Sequence, residues 1–115
     1  MRIINKDKNT ILAEEAVIAD TVLKRIKGLL GKKGLKSGEA IILEPCNSIH
    51  TFFMRFTIDI VFVDKQNKVI KAISGIKPWR ITGVYFPSRL CIELPPGTIK
   101  STLTSYGDTL LFIKR

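Results

Sequence analysis

The chain has 115 residues and a formal net charge of +9, with 45% hydrophobic and 25% charged residues. This length supports one domain, and the hydrophobic fraction is too high for a disordered protein. No apolar run approaches the roughly 20 residues of a membrane-spanning helix, and the N-terminus lacks the apolar stretch of a signal peptide. We therefore expect a single cytoplasmic domain over residues 1–115, without a membrane span.

The N-terminal part of the chain predicts two strands and one helix. Ile3 and Ile4 begin a short strand, and residues 11–19 predict an interrupted second one. After Asp20, which has the character of an N-cap, apolar residues recur at spacings of three and four. This pattern predicts a short amphipathic helix over residues 21–30.

The remainder of the chain predicts strands separated by turns. The predicted strands cover residues 40–43, 58–63, 69–73, 90–94 and 109–113. Residues 58–63 are apolar on both faces of the strand, which is typical of a strand buried on both sides. About seven short strands at this spacing predict a mostly β fold. We expect a compact β-sandwich or barrel-like sheet with the amphipathic helix packed on it.

Five short motifs follow one another between residues 25 and 108. They are Arg25 to Gly31, Pro45 to Met54 with Ile58 to Asp64, Pro78-Trp79-Arg80, Glu93 to Gly97, and Gly107-Asp108. Taken in this order they resemble the domain-of-unknown-function 192 family. The resemblance implies a small β-rich domain of sandwich type, about as long as this chain, with no agreed activity.

The positive charge is concentrated in two segments, residues 21–38 and 65–92, which each contain six Lys or Arg and no acid. If the two segments fold side by side, they form one positive face for nucleic acid or another polyanion. If they fold apart, they are two solvated surfaces. Lys77 and Arg80 flank Trp79, a pattern used by single-stranded nucleic acid binders and also common in loops that cover an apolar sheet.

The chain has two cysteines, Cys46 and Cys91, and one histidine, His50. The simplest interpretation is that both thiols are small buried apolar groups. A structural zinc site usually needs four Cys or His ligands, and this chain has three, so we predict no metal and no cofactor. A turn at residues 47–48 that brings Cys46 to His50 would favour a reactive thiolate, which leaves a thiol enzyme as an alternative.

Two carboxylates, Asp59 and Glu93, lie within predicted apolar strands. A buried carboxylate needs a partner or a proton. Because the resemblance places both groups in motifs, Arg25 is the first candidate partner of Asp59, in a structural ion pair. Arg55 and Arg80 are alternative partners. A polar ligand pocket and a hydrolytic pair of Asp59 with Glu93 also remain open.

These features leave three classes of function. The first is a small binding or accessory module with a pocket or groove for a small molecule, a peptide or a saccharide. Its predicted ligand-binding residues are His50, Met54, Asp59, Trp79, Arg80 and Glu93. The second is nucleic-acid or polyanion binding through residues 21–38 and 65–92. The third, which we favour least, is an enzyme that uses Cys46 with His50 or Asp59 with Glu93. No sequence feature indicates an oligomeric state.

Overall fold

The computed structural model describes residues 1–19, 34–52 and 54–114, which form two β-sheets and one short helix. The strands are β1 (Arg2–Asn5), β2 (Thr10–Ala13), β3 (Glu15–Ala19), β4 (Glu39–Leu43), β5 (Ile58–Val63), β6 (Val69–Ile76), β7 (Leu90–Leu94) and β8 (Leu110–Ile113). The helix α1 (Thr98–Thr102) lies between β7 and β8. The predicted mostly β fold is confirmed, and the described strands form two open sheets rather than a closed barrel.

The two sheets differ in size and in strand direction. The smaller sheet has the order β2-β1-β8 and is antiparallel. The larger sheet has the order β3-β4-β7-β5-β6, and its only parallel pair among the described strands is β3 with β4. In this order β6 is an end strand.

The central strands β5 and β7 of the larger sheet are buried on both faces. On one face, Ile3 and Leu110 of the smaller sheet pack in one apolar cluster with Val61 and Ile92 of the larger sheet. On the other face, a second cluster combines strand residues with side chains from the connections. Its members include Ile41, Ile60, Phe62 and Cys91 from the strands and Ile49, Met54 and Tyr85 from the connections. All six residues of β5 are buried as a result, which accounts for its continuous apolar sequence.

Two expectations about helices have different outcomes. The predicted helix over residues 21–30, with its N-cap Asp20, lies outside the described residues. The described helix, α1, follows Gly97 and lies between the predicted strands 90–94 and 109–113, where the sequence predicts only turns. Its five residues are too few to show an apolar period, and so short a helix depends on tertiary contacts. No described helix is long and apolar enough to cross a membrane.

The fully buried Asp59 supplies the tertiary contact that α1 needs. Its Oδ2 accepts a hydrogen bond from the Ile99 N–H at the start of α1 (2.9 Å), and its Oδ1 accepts one from the Gly75 N–H in β6 (2.9 Å). Gly75 has a φ of 66°, a conformation that favours glycine. The described partners of Asp59 are therefore backbone N–H groups. Arg25 lies outside the described residues, so the Arg25–Asp59 ion pair stays a prediction.

Replacing Asp59 with alanine should lower the free energy of unfolding by about 2–4 kcal/mol, because the N–H groups of Ile99 and Gly75 lose their acceptors. Urea denaturation measures this change. The control is Glu15→Ala on the exposed side of β3, which should change stability by less than about 0.5 kcal/mol. If Asp59→Ala costs no more than this control, the carboxylate does not hold α1 to the sheet.

Candidate functional site

Three aromatic rings, His50, Phe52 and Trp79, form a continuous exposed surface that we call the ring surface. The His50 and Phe52 rings are stacked with centroids 4.9 Å apart, and the Phe52 and Trp79 centroids are 5.9 Å apart. The exposed fractions are 37% for Phe52 and 56% for Trp79. Large aromatic faces left in water are characteristic of binding surfaces.

A single buried residue, Thr51, holds the turn that carries Trp79. The Thr51 hydroxyl donates a hydrogen bond to the Lys77 carbonyl (2.7 Å) and accepts one from the Arg80 N–H (2.9 Å). The Thr51 carbonyl accepts from the Trp79 N–H (3.0 Å), and the Thr51 N–H donates to the Arg80 carbonyl (2.8 Å). We call these four hydrogen bonds the Thr51 clamp. They fix both ends of the turn over residues 77–80.

The backbone of Trp79 is in an unfavourable conformation. Its φ is 64°, in the left-handed region that bulky residues rarely adopt. Such a conformation costs about 1–3 kcal/mol and persists only where surrounding interactions impose it. The Thr51 clamp imposes it here. The fold therefore holds a largely exposed tryptophan in a strained position instead of burying it.

A groove lies beside the ring surface, between the end of β6 and residues 80–82. His50 and Ile81 form an antiparallel bridge, and the Thr82 N–H donates to the Ile49 carbonyl (2.9 Å), so residues 80–82 run as an extended wall. Residues 73–77 form the opposite wall, and the volume between the walls is about 280 Å³. We call this space the β6 groove. It is close to the lower end of the usual range for ligand sites, roughly 300–1,000 Å³.

The groove and the ring surface are positively charged. Lys77 and Arg80 line the groove, and Lys71 is exposed on β6. The Arg80 guanidinium lies 3.4 Å from the carbonyl oxygens of Pro78 and Trp79, which keeps its charge beside the backbone of the turn over residues 77–80. Arg89 differs, because it forms an ion pair with Glu44. Residues 20–33 lie outside the described residues, so whether the two basic segments share a face stays untested.

The two buried carboxylates lie on opposite faces of the larger sheet. Ile60 is paired with Glu93 across β5 and β7, whereas Asp59 is paired with Leu94. Paired residues share a face and successive residues alternate, so Asp59 and Glu93 project to different sides. The structure does not bring them together as a hydrolytic pair, and it places neither of them on the ring surface.

Glu93 and the two cysteines lie together on the face that packs against the connections. Glu93 is 5% exposed, and its Oε2 has no hydrogen-bond partner within the described residues. Burial and, to a smaller extent, the nearby Cys46 together raise the pKa of Glu93 to about 8. Burial and a hydrogen bond with Cys46 raise the pKa of Cys91 far above its ordinary value. Thiols in such surroundings are unreactive.

Cys46 and His50 have different neighbours. The Cys46 thiol donates to the Ser48 carbonyl (3.2 Å), and the His50 Nδ1 accepts from the Phe52 N–H (3.3 Å). Within residues 1–19, 34–52 and 54–114, no group of three His, Cys, Asp or Glu side chains is arranged to hold a metal ion. Among the described residues no hydrogen bond joins Cys46 to His50, so the structure does not pair them as nucleophile and base.

Of the predicted ligand-binding residues, His50, Trp79 and Arg80 come together at the ring surface and the groove. Met54 is buried in the apolar cluster beneath them, and Asp59 and Glu93 lie within the sheet. Thr51 and Ile81 are not among the predicted residues. A hydroxyl within the apolar stretch of residues 49–53 is a signal for a buried hydrogen bond, but it does not identify the partner.

Comparisons with known proteins agree on family and fold. The family model of DUF192, described as uncharacterized, matches residues 3–112. The UPF0127 protein PH1112 of Pyrococcus horikoshii is 35% identical over 94% of this chain and 96% of its own length. A UPF0127 protein of Thermococcus sibiricus is 31% identical over 94% of this chain and 72% of its own length.

A solved structure shows the same fold. It is a protein of unknown function from Novosphingobium aromaticivorans, with a TM-score of 0.84 and 17% identity. The match covers 97% of this chain and 84% of that protein. At this identity the likeness concerns the fold alone.

The raised pKa of Glu93 predicts that the free energy of unfolding falls as the pH rises. Its folded-state pKa of about 8 exceeds the ordinary 4.5, so the native state keeps a proton that the unfolded state loses between these values. The contribution is complete below about pH 4.5 and lost as the pH rises to about 8, by up to about 1.4 kcal/mol per unit. Glu93→Gln should remove this slope, which denaturation at several pH values measures.

The matched control is Glu15→Gln, an exposed carboxylate that should leave the slope unchanged. Asp108 acts in another pH range. Burial alone would raise its pKa, but hydrogen bonds from Asn5 and Lys8 outweigh burial and lower it. Its contribution is therefore lost only as the pH falls below about 4. A slope between pH 4.5 and 8 that persists in Glu93→Gln would show that another group causes it.

Proposed function

The chain belongs to the DUF192 family, and we propose that it is a binding module for a negatively charged ligand that lies across the ring surface and the β6 groove. The observation that carries the proposal is Trp79, exposed by 56% and held by the Thr51 clamp at a φ of 64°. A tryptophan that only stabilises the fold is expected to be buried, since its apolar area stabilises the protein only when water is excluded.

The energetics of binding support this role for Trp79. Tryptophan and arginine are the residues that most often dominate binding energy, and Trp79 and Arg80 are adjacent. A ligand that covers the indole gains roughly 25 cal/mol per Å² of apolar area. Because the clamp already holds the ring in place, little further entropy is lost when the ligand binds.

The charge around the site supports an anionic ligand. Lys77 and Arg80 line the groove and Lys71 lies on the neighbouring strand. Residues 65–92 contain no acid that would neutralise them locally. Cations arranged in this way raise the rate of encounter with anions and set the orientation of the bound ligand.

Single-stranded nucleic acid is the second candidate ligand, and the ring surface is the observation that favours it. Bases stack on exposed aromatic rings beside cations, with about 1–3 kcal/mol per stacked base. This candidate requires a steep loss of affinity with added salt. An enzyme is supported less. Asp59 and Glu93 project to opposite faces of the larger sheet, and the Cys46 thiol donates to Ser48 while His50 accepts from Phe52.

Two probes test the proposal: a decauridylate and an acidic decapeptide of alternating Glu and Val with blocked ends. Trp79 is the only tryptophan of the chain, so its fluorescence reports directly on the ring surface. We expect an anionic probe to shift the emission to shorter wavelength as water is excluded. Trp79→Ala, followed by calorimetry, should lower the affinity of that probe by about 30-fold, as expected for the loss of an anchor of about 2 kcal/mol.

Tyr106→Ala is the matched control, because Tyr106 is also an exposed ring, at 80%, but lies in the turn before β8. It should change affinity by less than twofold. The charge reversal Lys77→Glu with Arg80→Glu should weaken binding of either probe. The proposal fails if neither probe perturbs Trp79 at millimolar concentration, or if probe binding is the same in Trp79→Ala and the wild type.

A further inference from the structure

We infer that the β6 groove takes an extended acidic peptide, which adds to the edge of β6 as a further strand. This inference rests on the proposed function, since it names the ligand of the same site. Three observations carry it: the open edge of β6, the backbone groups of the opposite wall, and the charges on both sides.

Residues 107 and 108 cover the start of the outer edge of β6. At Val69 the N–H donates to the Asp108 carbonyl and the carbonyl accepts from the Gly107 N–H, both at 2.8 Å. Beyond this point β6 is the last strand in the order of the larger sheet, and among the described strands it pairs only with β5. An end strand presents N–H and carbonyl groups that another extended chain can bind. Within residues 73–77 the Gly75 N–H and the Lys77 carbonyl are already hydrogen-bonded, to Asp59 and to Thr51, so an added strand would pair with the other backbone groups of this edge.

The opposite wall of the groove also presents backbone groups. Arg80 and Thr82 direct their hydrogen bonds toward residues 49–51. In an antiparallel bridge of this kind, the N–H and carbonyl of the intervening residue point the other way. That residue is Ile81, which is 69% exposed, and its N–H and carbonyl make no hydrogen bond with the described residues. Both walls can therefore bind the main chain of one extended segment.

The dimensions of the groove suit an extended segment. The β6 wall spans residues 73–77, and five extended residues cover about 16 Å at roughly 3.3 Å each. Exposed backbone groups on two walls are matched by a peptide, which has a donor and an acceptor at each residue, more closely than by a nucleic acid.

The charges select an acidic peptide. Lys77 and Arg80 line the groove, and Lys71 is exposed outside it, nearer the start of β6. The carboxylate that reaches this wall is Asp59, which is buried behind Gly75, with its oxygens accepting from Gly75 and Ile99. Carboxylates that alternate along an incoming strand would all project to one face and meet these cations. Lysines on edge strands can also serve to prevent pairing with other chains. Binding of an acidic peptide but not of a basic one would show that these cations recognise a ligand instead.

The experiment is an NMR titration of the ¹⁵N-labelled protein with the acidic decapeptide of alternating Glu and Val. We expect shifts concentrated at residues 70–77 and 80–82, with slower amide exchange at the outer edge of β6 as new hydrogen bonds form. The control peptide has the same sequence with alternate backbone nitrogens methylated, which keeps every side-chain charge and removes half of the donors. Its affinity should be at least tenfold lower. A peptide with Lys in place of Glu should not bind.

A protein variant tests the opposite wall. Ile81→Pro removes the N–H that faces the groove and breaks no described hydrogen bond, whereas Ile81→Ala keeps this N–H and shortens the side chain. We expect Ile81→Pro to bind the acidic peptide at least fivefold more weakly than Ile81→Ala does. Thermal unfolding of both variants confirms that they are folded. If Ile81→Pro does not fold, the methylated peptide supplies the same test.

The outcomes separate this inference from the proposed function. Equal binding of the methylated and unmethylated peptides overturns strand addition. If decauridylate binds at these residues and the acidic peptide does not, the inference of a peptide ligand is wrong, and the proposal of a binding module for an anionic ligand stands. Shifts at residues 70–77 that grow with protein concentration, without peptide, assign the edge to a second copy and also overturn the inference. If no probe perturbs the groove or the ring surface, both proposals fail.

Discussion

The hydrogen bonds of the buried Thr51 determine the shape of the candidate site. Its hydroxyl and its backbone bind both ends of the turn over residues 77–80, and this turn places Trp79 in the solvent and Lys77 and Arg80 at the groove. Without these bonds the left-handed conformation of Trp79 would relax, because an isolated bulky residue disfavours it by about 1–3 kcal/mol. The strain at Trp79 is therefore sustained by a fully buried residue.

The larger sheet explains why the site lies at its edge and in its connections. β5 and β7 are buried on both faces, so their side chains, Asp59 and Glu93 included, serve the interior. Asp59 binds the backbone of the edge strand at Gly75 and that of α1 at Ile99. The one carboxylate thus links the central sheet to the groove wall and to the helix on its other side. The exposed side chains of the candidate site therefore belong to the connections and to the edge strand of the larger sheet.

Some of this arrangement follows from the sequence and some does not. The continuous apolar run of residues 58–63 predicts a strand buried on both sides, which the structure contains. Trp79 beside Arg80 is compatible both with a binding surface and with a loop that covers an apolar sheet. The pairing of Ile60 with Glu93 decides that Glu93 and Asp59 face apart, and strand register depends on partners far away in the chain. The helix α1 has no periodicity to reveal it. The partners of Thr51 are backbone groups, which carry no sequence signal.

If the Thr51 hydroxyl holds Trp79 in position for binding, Thr51→Val and Thr51→Ser should differ in affinity for the ligand. Valine matches the shape of threonine without the hydroxyl, whereas serine keeps it. We expect both variants to fold, with a loss of about 1–3 kcal/mol in Thr51→Val. In fluorescence titrations with the anionic probe, Thr51→Val should bind at least tenfold more weakly, and Thr51→Ser within about threefold of the wild type. Wild-type affinity in Thr51→Val would show that the hydroxyl does not position Trp79 for binding.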